Sequence, residues 1–337
     1  MAQTAFVTGG SGFVGGRLIR RLAGEDWTVQ ALARSDRSAA AVERLGAEAV
    51  SGELGNASAI AAGAEGCEFA FHLAAHVADS GPWEDFERVN VQGTRNALAG
   101  CSEAGVRRFV HCGTEAALMA GDPLVQVDET APLRPDSSAP YPATKARAEQ
   151  AVLAANTEAM ETVVLRPRFV WGAGDTTLLP EMVKMVEAGR FAWIGGGEHL
   201  TSTTHVDNVV EGLMLAADKG RPGNAYFVTD GDDVVFREFV SEMLRTQDVE
   251  PPGRNLPKPV AGAIVGISET AWRFLPLPGS PPLSRFTYWV LTQECTIDIS
   301  KARSELGYQP PLSRDQGLAG LRASTAPRPL AEPQQGQ

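Results

Sequence analysis

The sequence predicts an α/β protein, with a Rossmann-like, doubly wound parallel sheet and a smaller, mostly C-terminal substrate-binding lobe. Three observations predict this fold. The first half of the chain alternates short β-type runs with longer helical patterns. A glycine-rich turn joins the first predicted strand to the first predicted helix. After Gly172, loops rich in Gly and Pro interrupt shorter elements, as expected of a separate lobe.

The elements of the first half follow one another in a regular order. Strands are predicted at Thr4–Thr8, Thr28–Ala33, Ala47–Gly52, Phe69–Leu73, Arg108–Cys112 and Thr162–Arg166. Helices are predicted at Gly15–Ala23, Ala39–Leu45, Ala57–Ala64, Phe86–Ala104 and Pro142–Asn156. The pattern indicates a dinucleotide-binding domain over residues 1–171. It is followed by a mainly substrate-binding lobe over 172–322, with some segments returning to the sheet, and by a mobile tail over 323–337.

Composition and charge argue against several classes of protein. The chain has 337 residues, 43% of them hydrophobic, so it can bury a sizeable core. A net charge of −11 with scattered basic residues argues against a nucleic-acid partner. The longest apolar run, Val260–Ile267, is far shorter than the ~20 residues that a membrane span needs. Four widely spaced cysteines and no signal-peptide pattern at Met1–Ala5 favour a cytoplasmic location.

The glycine-rich turn predicts a phosphate-binding loop. It reads Gly9-x-x-Gly12-x-x-Gly15 between the first strand and the first helix. Gly9 allows a tight turn, Gly12 lets a pyrophosphate approach the backbone, and Gly15 lets the helix pack on the strand. The N–H groups at the start of that helix can then bind the phosphates. Glycine-rich turns are common, but the strand before this one and the helix after it favour a dinucleotide site.

The end of the second strand bears on which dinucleotide is bound. Arg34 lies there, and Arg37 follows closely. An arginine can pair with a 2′-phosphate, which favours NADP(H), with NAD as the alternative. Arg34 could instead be a solvated surface residue. Glu53, at the close of the third strand, is the expected contact to the adenine edge, and its alternative is a surface carboxylate.

A tyrosine and a lysine form the candidate acid–base pair. Tyr141 and Lys145 are four residues apart on a predicted helix, so both side chains can point into one site. An ammonium beside the phenol would favour the phenolate and lower the pKa of Tyr141. Thr114, at the end of the strand Arg108–Cys112, could add a hydroxyl to the same site. Thr114 could otherwise be only a cap at the end of that strand.

Further motifs extend this series along the chain. They are His72-Leu73-Ala74-Ala75, Asn90-x-x-Gly93-Thr94, Phe109-Val110-His111, Asp128-Glu129-Thr130, Arg166-Pro167, Thr203-Thr204-His205-Val206-Asp207-Asn208 and Gly307-Tyr308-x-Pro310. With the glycine loop and the Tyr141/Lys145 pair, the sequence resembles the extended short-chain dehydrogenases/reductases over roughly residues 4–322. Within these it resembles most the 3β-hydroxysteroid dehydrogenase branch.

The resemblance implies a role for each matching residue. Tyr141 would be the general acid/base, Lys145 would hold the nicotinamide ribose, and Thr114 would hydrogen-bond the substrate oxygen. Ala74, Ala75, Asn90 and the backbone near Arg168 would contact the cofactor, and the loop Pro167–Asp175 would border the substrate. His72 and His76 would then lie beside the cofactor, so no metal is expected. The full set of expected cofactor-binding residues is Gly9, Ser11, Gly12, Phe13, Val14, Gly15, Arg34, Glu53, Leu54, Ala74, Ala75, Asn90, Tyr141, Lys145, Pro167 and Arg168.

Aromatic and apolar residues are concentrated in the second half. A hydrophobic substrate pocket is one interpretation, and a protein core is the other. The segment Val260–Leu277 is expected to be a packed helix, with a lid or a membrane-surface contact as alternatives. The residues concerned are Phe191, Trp193, Trp272, Phe274, Leu275, Leu277, Phe286, Tyr288 and Trp289.

The sequence therefore predicts an oxidoreductase that interconverts a secondary alcohol and a ketone on a small hydrophobic molecule. A steroid-like molecule, a 3-oxo acyl chain or a bulky aromatic ketone would each suit the same residues. A nucleotide-sugar epimerase or dehydratase is the first alternative, since it would use the same three residues. A non-catalytic dinucleotide-binding sensor is the second, although such relatives tend to lose the tyrosine–lysine pair. By resemblance, a homodimer is expected through the helices Phe86–Ala104 and Pro142–Asn156.

Overall fold

A computed structural model describes residues 3–274 and 283–325. Leu275 and Leu277 of the predicted pocket lie outside the described residues, as do residues 326–337 of the predicted tail. The first residues assigned to that tail belong instead to the last helix, which continues to Thr325.

The centre of the molecule is a parallel sheet of seven strands. Its order is β12-β7-β5-β4-β1-β2-β3, and all of its neighbouring strands are parallel. The order reverses beside β1, and this is where open α/β sheets bind ligands at their carboxyl ends. The strands of the described chain are β1 (Thr4–Thr8), β2 (Thr28–Ala33), β3 (Glu48–Ser51), β4 (Phe69–His72), β5 (Arg108–Cys112), β6 (Leu124–Val127), β7 (Glu161–Pro167), β8 (Val170–Trp171), β9 (Trp193–Ile194), β10 (Leu200–Thr201), β11 (Thr204–His205), β12 (Asn224–Val228), β13 (Val234–Val235), β14 (Asn255–Leu256) and β15 (Cys295–Ile297).

Helices connect these strands and cover the sheet. They are α1 (Phe13–Gly24), α2 (Asp36–Glu43), α3 (Ala57–Ala64), α4 (Trp83–Phe86), α5 (Gly93–Glu103), α6 (Pro140–Ala154), α7 (Leu178–Glu187), α8 (Val206–Lys219), α9 (Phe236–Arg245), α10 (Lys258–Phe274), α11 (Arg285–Thr292) and α12 (Arg314–Thr325). Short 3₁₀ turns lie at Glu115–Leu118 and Gly195–Gly197, and π-helical turns lie at Glu87–Gln92 and Ala302–Leu306. No helix among the described residues is long and apolar enough to cross a bilayer.

The two lobes exchange segments of chain. β12, from the second half, pairs with β7 at the edge of the central sheet. β6, from the first half, joins the small sheet of order β13-β10-β15-β6. The substrate lobe therefore takes a strand from the region assigned by sequence to the dinucleotide domain. It also returns one to the central sheet, as the sequence analysis expected of some segments.

Several element boundaries differ from the predicted ones for local reasons. α2 begins at Asp36 rather than Ala39, because the Ser35 hydroxyl caps it and Ser38 completes a capping box. α6 begins at Pro140 rather than Pro142, with prolines in its first turn where they need no hydrogen bond. The predicted helix Phe86–Ala104 is divided by the π turn Glu87–Gln92.

Candidate active site

The phosphate loop has the geometry that its glycines predict. Gly9 has φ +75°, which favours glycine. A methyl group at Gly15 would lie 2.2 Å from the Gly9 carbonyl oxygen, so helix and strand approach as closely as glycine allows. Gly12 caps α1, and the exposed Ser11 and Gly12 lie at its N-terminus. This backbone cradle fits a diphosphate group, which would bind at the helix N-terminus with no side chain in the way.

The other predicted adenosine contacts lie at the same edge of the sheet. Arg34 is exposed and directly follows β2. Glu53 is exposed beyond β3, and Leu54 is partly buried. The Leu54 carbonyl accepts a hydrogen bond of 2.7 Å from the Asn96 side chain, which links this loop to α5. The structure thus places these residues around the carboxyl ends of β2 and β3, as the prediction required.

The end of β4 is held by a buried histidine. The two ring nitrogens of His72 lie 2.7 Å from the Thr8 hydroxyl and 3.0 Å from the Thr94 hydroxyl. Burial lowers the pKa of His72 to about 3, so the ring is neutral at physiological pH. Its role is to join β1, β4 and α5 beneath the phosphate loop. Across residues 3–274 and 283–325, no group of three or more His, Cys, Asp or Glu side chains is arranged to hold a metal ion.

Asn90 supports the loop that follows β4. Its carboxamide oxygen accepts from the His76 backbone N–H at 2.7 Å, and its nitrogen donates to the Thr144 hydroxyl at 3.2 Å. Ala74 and Ala75 lie in the loop that these bonds hold, and both are partly buried. Asn90 therefore connects the predicted cofactor loop to α6, the helix that carries the candidate acid–base pair.

Lys145 is fixed at the carboxyl end of β5. The side chain is buried, and its ammonium donates to the Cys112 carbonyl at 3.1 Å. The ammonium also lies 3.5 Å from Nε2 of His111, a buried residue of the Phe109-Val110-His111 motif to which the sequence analysis gave no role of its own. Burial lowers the pKa of Lys145. These contacts orient Lys145 along the end of the strand that leads to Thr114.

Tyr141 lies in the first turn of α6, and its ring packs against Phe286 of α11 at 5.3 Å between centroids. The expected lowering of its pKa is not what the structure shows. Burial raises the pKa of the phenol, the negative charges of Glu115 and Cys112 raise it further, and a hydrogen bond with Thr114 opposes them. Burial is the largest cause, and the Lys145 ammonium, which donates to the Cys112 carbonyl, is not among the groups that shift this pKa. Tyr141 is therefore a protonated phenol at neutral pH.

Thr114 forms a contact that the sequence analysis missed. Its hydroxyl donates to Oε2 of Glu115 at 2.7 Å, and its oxygen accepts from the Ala116 N–H at 3.2 Å. Oε1 of Glu115 accepts from the Arg168 guanidinium at 2.7 Å, and both of these side chains are almost fully buried. The available sequence signal was Glu115 itself, a single acidic residue directly before the apolar run 116–118. An acidic residue in such a run is expected to be buried, and a buried carboxylate needs a partner.

The loop Pro167–Asp175 is tied to both lobes. The Arg168 backbone N–H donates to the Thr204 hydroxyl at 3.1 Å, and the Arg168 carbonyl accepts from the same hydroxyl at 2.7 Å. Arg17 of α1, another missed residue, donates to the Ala173 carbonyl at 2.9 Å. The loop predicted to border the substrate is thereby fixed to the helix that follows the phosphate loop. The predicted contact of the Pro167–Arg168 backbone with a carboxamide stays a prediction.

The predicted aromatic pocket is mainly core. Phe191 and Trp193 pack with Phe236 and Phe239 in a buried cluster of the second lobe, and Trp289 belongs to the main core. Of the predicted residues, Phe286 reaches the candidate site through its contact with Tyr141. The predicted packed helix is α10, where Ala261 and Val265 are buried and Val260, Ile264 and Ile267 are exposed.

Thr114, Tyr141 and Lys145 thus lie together at the sheet edge that also carries the phosphate loop. The model of the 3-beta hydroxysteroid dehydrogenase/isomerase family matches residues 6–258, which include all of these residues. The chain belongs to this family. Membership confirms the predicted resemblance and makes the protein an oxidoreductase of the dehydrogenase/reductase class that acts on CH–OH groups. A nicotinamide dinucleotide is the cofactor expected for the family.

Relatives and solved structures agree with this family. The chain is 44% identical over 317 residues to a 4-hydroxy-2-methyl-3-oxo-4-farnesyl-3,4-dihydroquinoline-1-oxide ketoreductase of Stigmatella aurantiaca, covering 94% of this chain and 95% of that protein. It is 34% identical over 328 residues to a 2-alkyl-3-oxoalkanoate reductase of Stenotrophomonas maltophilia (strain K279a), covering 95% and 98%. The crystal structure of gox2253 is similar, with a TM-score of 0.78 at 28% identity over 95% of this chain and 98% of that one. The predicted α/β fold is confirmed.

Proposed function

We propose that this family member is an NADP(H)-preferring ketoreductase, with Tyr141, Lys145 and Thr114 as its acid–base site. One observation carries the proposal: the Tyr141 phenol lies beside the Thr114 hydroxyl, with Lys145 one helical turn away. A protonated phenol is the form that donates a proton to a ketone oxygen. The names of two relatives, a ketoreductase and a reductase, support the reductive direction.

The chain's own residues divide the work of this reaction. When bound, a reduced nicotinamide supplies a hydride to the carbonyl carbon. Tyr141 donates its hydroxyl proton to the carbonyl oxygen as the C=O π bond becomes a C–O single bond. Lys145, fixed by the Cys112 carbonyl, places a positive charge near the phenolate that remains. The phosphate loop binds the diphosphate, and we propose that Arg34 pairs with a 2′-phosphate.

The proposed substrate class is a hydrophobic ketone whose neighbouring carbon carries an alkyl group. The names of both relatives describe a 3-oxo group beside a substituted carbon, with a farnesyl group in one and a 2-alkyl group in the other. In this chain, the apolar ring of Phe286 packs on Tyr141, which supports an apolar group next to the reacting carbon. Hydrophobic surface at the reacting centre favours such a substrate over a charged sugar nucleotide.

Four substrates test the proposal. Purified protein would be incubated with NADPH or NADH and a 2-alkyl-3-oxoalkanoate ester, its unbranched isomer, a 3-ketosteroid or a UDP-sugar, while nicotinamide oxidation is followed. We expect the branched ester to be reduced faster than its isomer, and NADPH to serve better than NADH. Oxidation with the steroid alone would contradict the substrate class. Conversion of the UDP-sugar without net oxidation would support the epimerase alternative.

The predicted assembly needs a separate test. We propose a homodimer through α5 and α6, which pack together in the chain. The resemblance to extended short-chain dehydrogenases/reductases supports it. Sedimentation equilibrium at several protein concentrations would show whether a dimer forms.

A further inference from the structure

Glu115 is a buried charge beside the candidate acid that the proposed mechanism leaves without a role. It opens the 3₁₀ turn Glu115–Leu118, directly after Thr114, and it is 3% exposed. A carboxylate in such a position is costly unless it is paired and hydrogen-bonded. Its two oxygens are both used, one by Arg168 and one by Thr114. These two hydrogen bonds offset the cost of burying the Glu115 charge, and one of them is made to a residue of the candidate site, Thr114.

The Arg168 side chain anchors this carboxylate from the far side. Nη1 donates to Oε1 of Glu115 at 2.7 Å, and Nη2 donates to the Thr201 hydroxyl at 3.3 Å. A guanidinium does not lose its proton in proteins, so Arg168 offers the Glu115 carboxylate a permanent positive charge. Thr201 belongs to β10, so the small sheet of the substrate lobe holds the pair in place.

The other carboxylate oxygen faces the candidate site. An ionised carboxylate only accepts hydrogen bonds, so the Thr114 hydroxyl must be the donor at 2.7 Å. The rotation of that hydroxyl is thereby fixed. The resemblance implied that Thr114 would bind the substrate oxygen. In this chain its hydrogen is held by Glu115 and becomes available to a ketone only by exchange between two acceptors.

The carboxylate also acts on Tyr141 through its charge. Burial raises the pKa of the Tyr141 phenol, and the negative charge of Glu115 raises it further. The other titratable group that acts on the phenol is Cys112 from β5, and α11 contributes the neutral ring of Phe286. Lys145, on the same helix as Tyr141, directs its ammonium to the Cys112 carbonyl. Cys295 of β15 lies on the far side of the Glu115–Arg168 pair, and burial raises the pKa of its thiol to about 12.

We infer that Glu115, anchored by Arg168, is a positioning residue for ketone reduction: it orients the Thr114 hydroxyl and holds a negative charge beside the Tyr141 phenol. This inference rests on the proposed function for its catalytic consequence, but not for its effect on Tyr141. A neutral residue at 115 would favour the phenolate, so the acid form of Tyr141 would be lost at a lower pH.

The first test uses Glu115→Gln, which keeps the size and an acceptor oxygen but removes the charge. Phenolate absorbance would be measured against pH for the wild type and for E115Q. The curve of the same protein carrying Tyr141→Phe would be subtracted from each, so that only the Tyr141 signal remains. We expect the Tyr141 titration to move down by about one pH unit in E115Q. The alkaline limb of kcat for ketone reduction should move in the same direction, with the KM for NADPH unchanged. Glu115→Asp, which keeps the charge, should restore the position of both curves.

Glu161→Gln is the matched control. Glu161 pairs with Arg108 at 2.8 Å, at the amino ends of β5 and β7, away from the candidate site. E161Q removes the same charge from an Arg–Glu pair and should leave both curves in place. Equal curves for E115Q and the wild type would overturn the inference.

The wild type alone provides a second test if E115Q does not fold. Its Tyr141 phenol must still be protonated above pH 10, the ordinary pKa of tyrosine. A Tyr141 titration at or below that value would overturn the inference without any variant at 115, whereas a titration above it is also expected from burial alone, and only the E115D or E115Q comparison then assigns it to Glu115. If the wild type reduces no ketone, the proposed function fails. The difference in Tyr141 titration between the wild type and E115Q would still test the effect of Glu115 on Tyr141.

Discussion

The phosphate loop and the acid–base site lie at the same edge of the central sheet but are built differently. The loop is one continuous stretch, Gly9–Gly15, and its shape depends on the absence of side chains. The acid–base site joins distant parts of the chain, since Glu115 and Arg168 are 53 residues apart. The loop should therefore respond to changes in volume, and the acid–base site to changes in charge and proton position.

Tyr141→Phe should have the largest effect and tests the acid–base side of this comparison. Removal of the proton donor should lower kcat for ketone reduction by about 10²- to 10⁴-fold. NADPH binding, measured by fluorescence titration, should change little, because the phosphate loop is intact. Tyr288→Phe is the control, since Tyr288 donates to the Lys258 carbonyl at 3.3 Å on α10 and should tolerate the change. A Tyr141→Phe variant that keeps most of the activity would contradict the assigned acid.

Gly15→Ala should have the next largest effect and tests the loop. The added methyl group would lie 2.2 Å from the Gly9 carbonyl oxygen, so the turn or the helix must move. We expect a loss of about 1–3 kcal/mol in the free energy of unfolding and weaker NADPH binding. Urea denaturation measures the first quantity. Gly24→Ala, in the same helix with no atom within 4 Å of the added methyl group, should be neutral or stabilising.

His72→Gln tests the boundary where the two regions meet. The ring hydrogen-bonds Thr8 below the phosphate loop and stacks on His111 beside Lys145, with 5.3 Å between centroids. Burial lowers the pKa of His72 from 6.5 to about 3, so stability is present above pH 6.5 and is lost as the pH falls toward 3. Between pH 7 and pH 5 the wild type should lose about 2 kcal/mol more than H72Q. Urea midpoints at both pH values measure this, and parallel losses would contradict the burial argument.

Arg34→Ala should have the smallest effect and tests the selectivity of the loop region. Loss of one charge-assisted contact, about 1.5 kcal/mol, should lower kcat/KM for NADPH about tenfold and leave the value for NADH unchanged. Arg44→Ala is the control, because Arg44 lies at the opposite end of α2. Equal preference for NADPH in both variants would show that Arg34 does not select the cofactor.

Predictions from the sequence were accurate where the signals were local. β1, β2, β5 and α3 have the predicted bounds, because each is set by a short run of apolar residues between turn signals. The capping box at Ser35 was also local but was missed, which displaced the predicted start of α2. A return of some segment to the central sheet was expected, but neither the identity of β12 nor the transfer of β6 to the small sheet was predicted, because strand pairing depends on contacts across long separations.

The sequence by itself determined the fold class, the phosphate loop and the presence of a tyrosine–lysine pair on one helix. These follow from glycine spacing and from the periods of strands and helices, which act over a few residues. Only the tertiary structure decided the electrostatics of the site. It buried Tyr141, turned Lys145 toward the Cys112 carbonyl and brought Arg168 to Glu115. Burial and charge pairing set the protonation of a side chain, and both depend on groups that the chain brings together only when it folds.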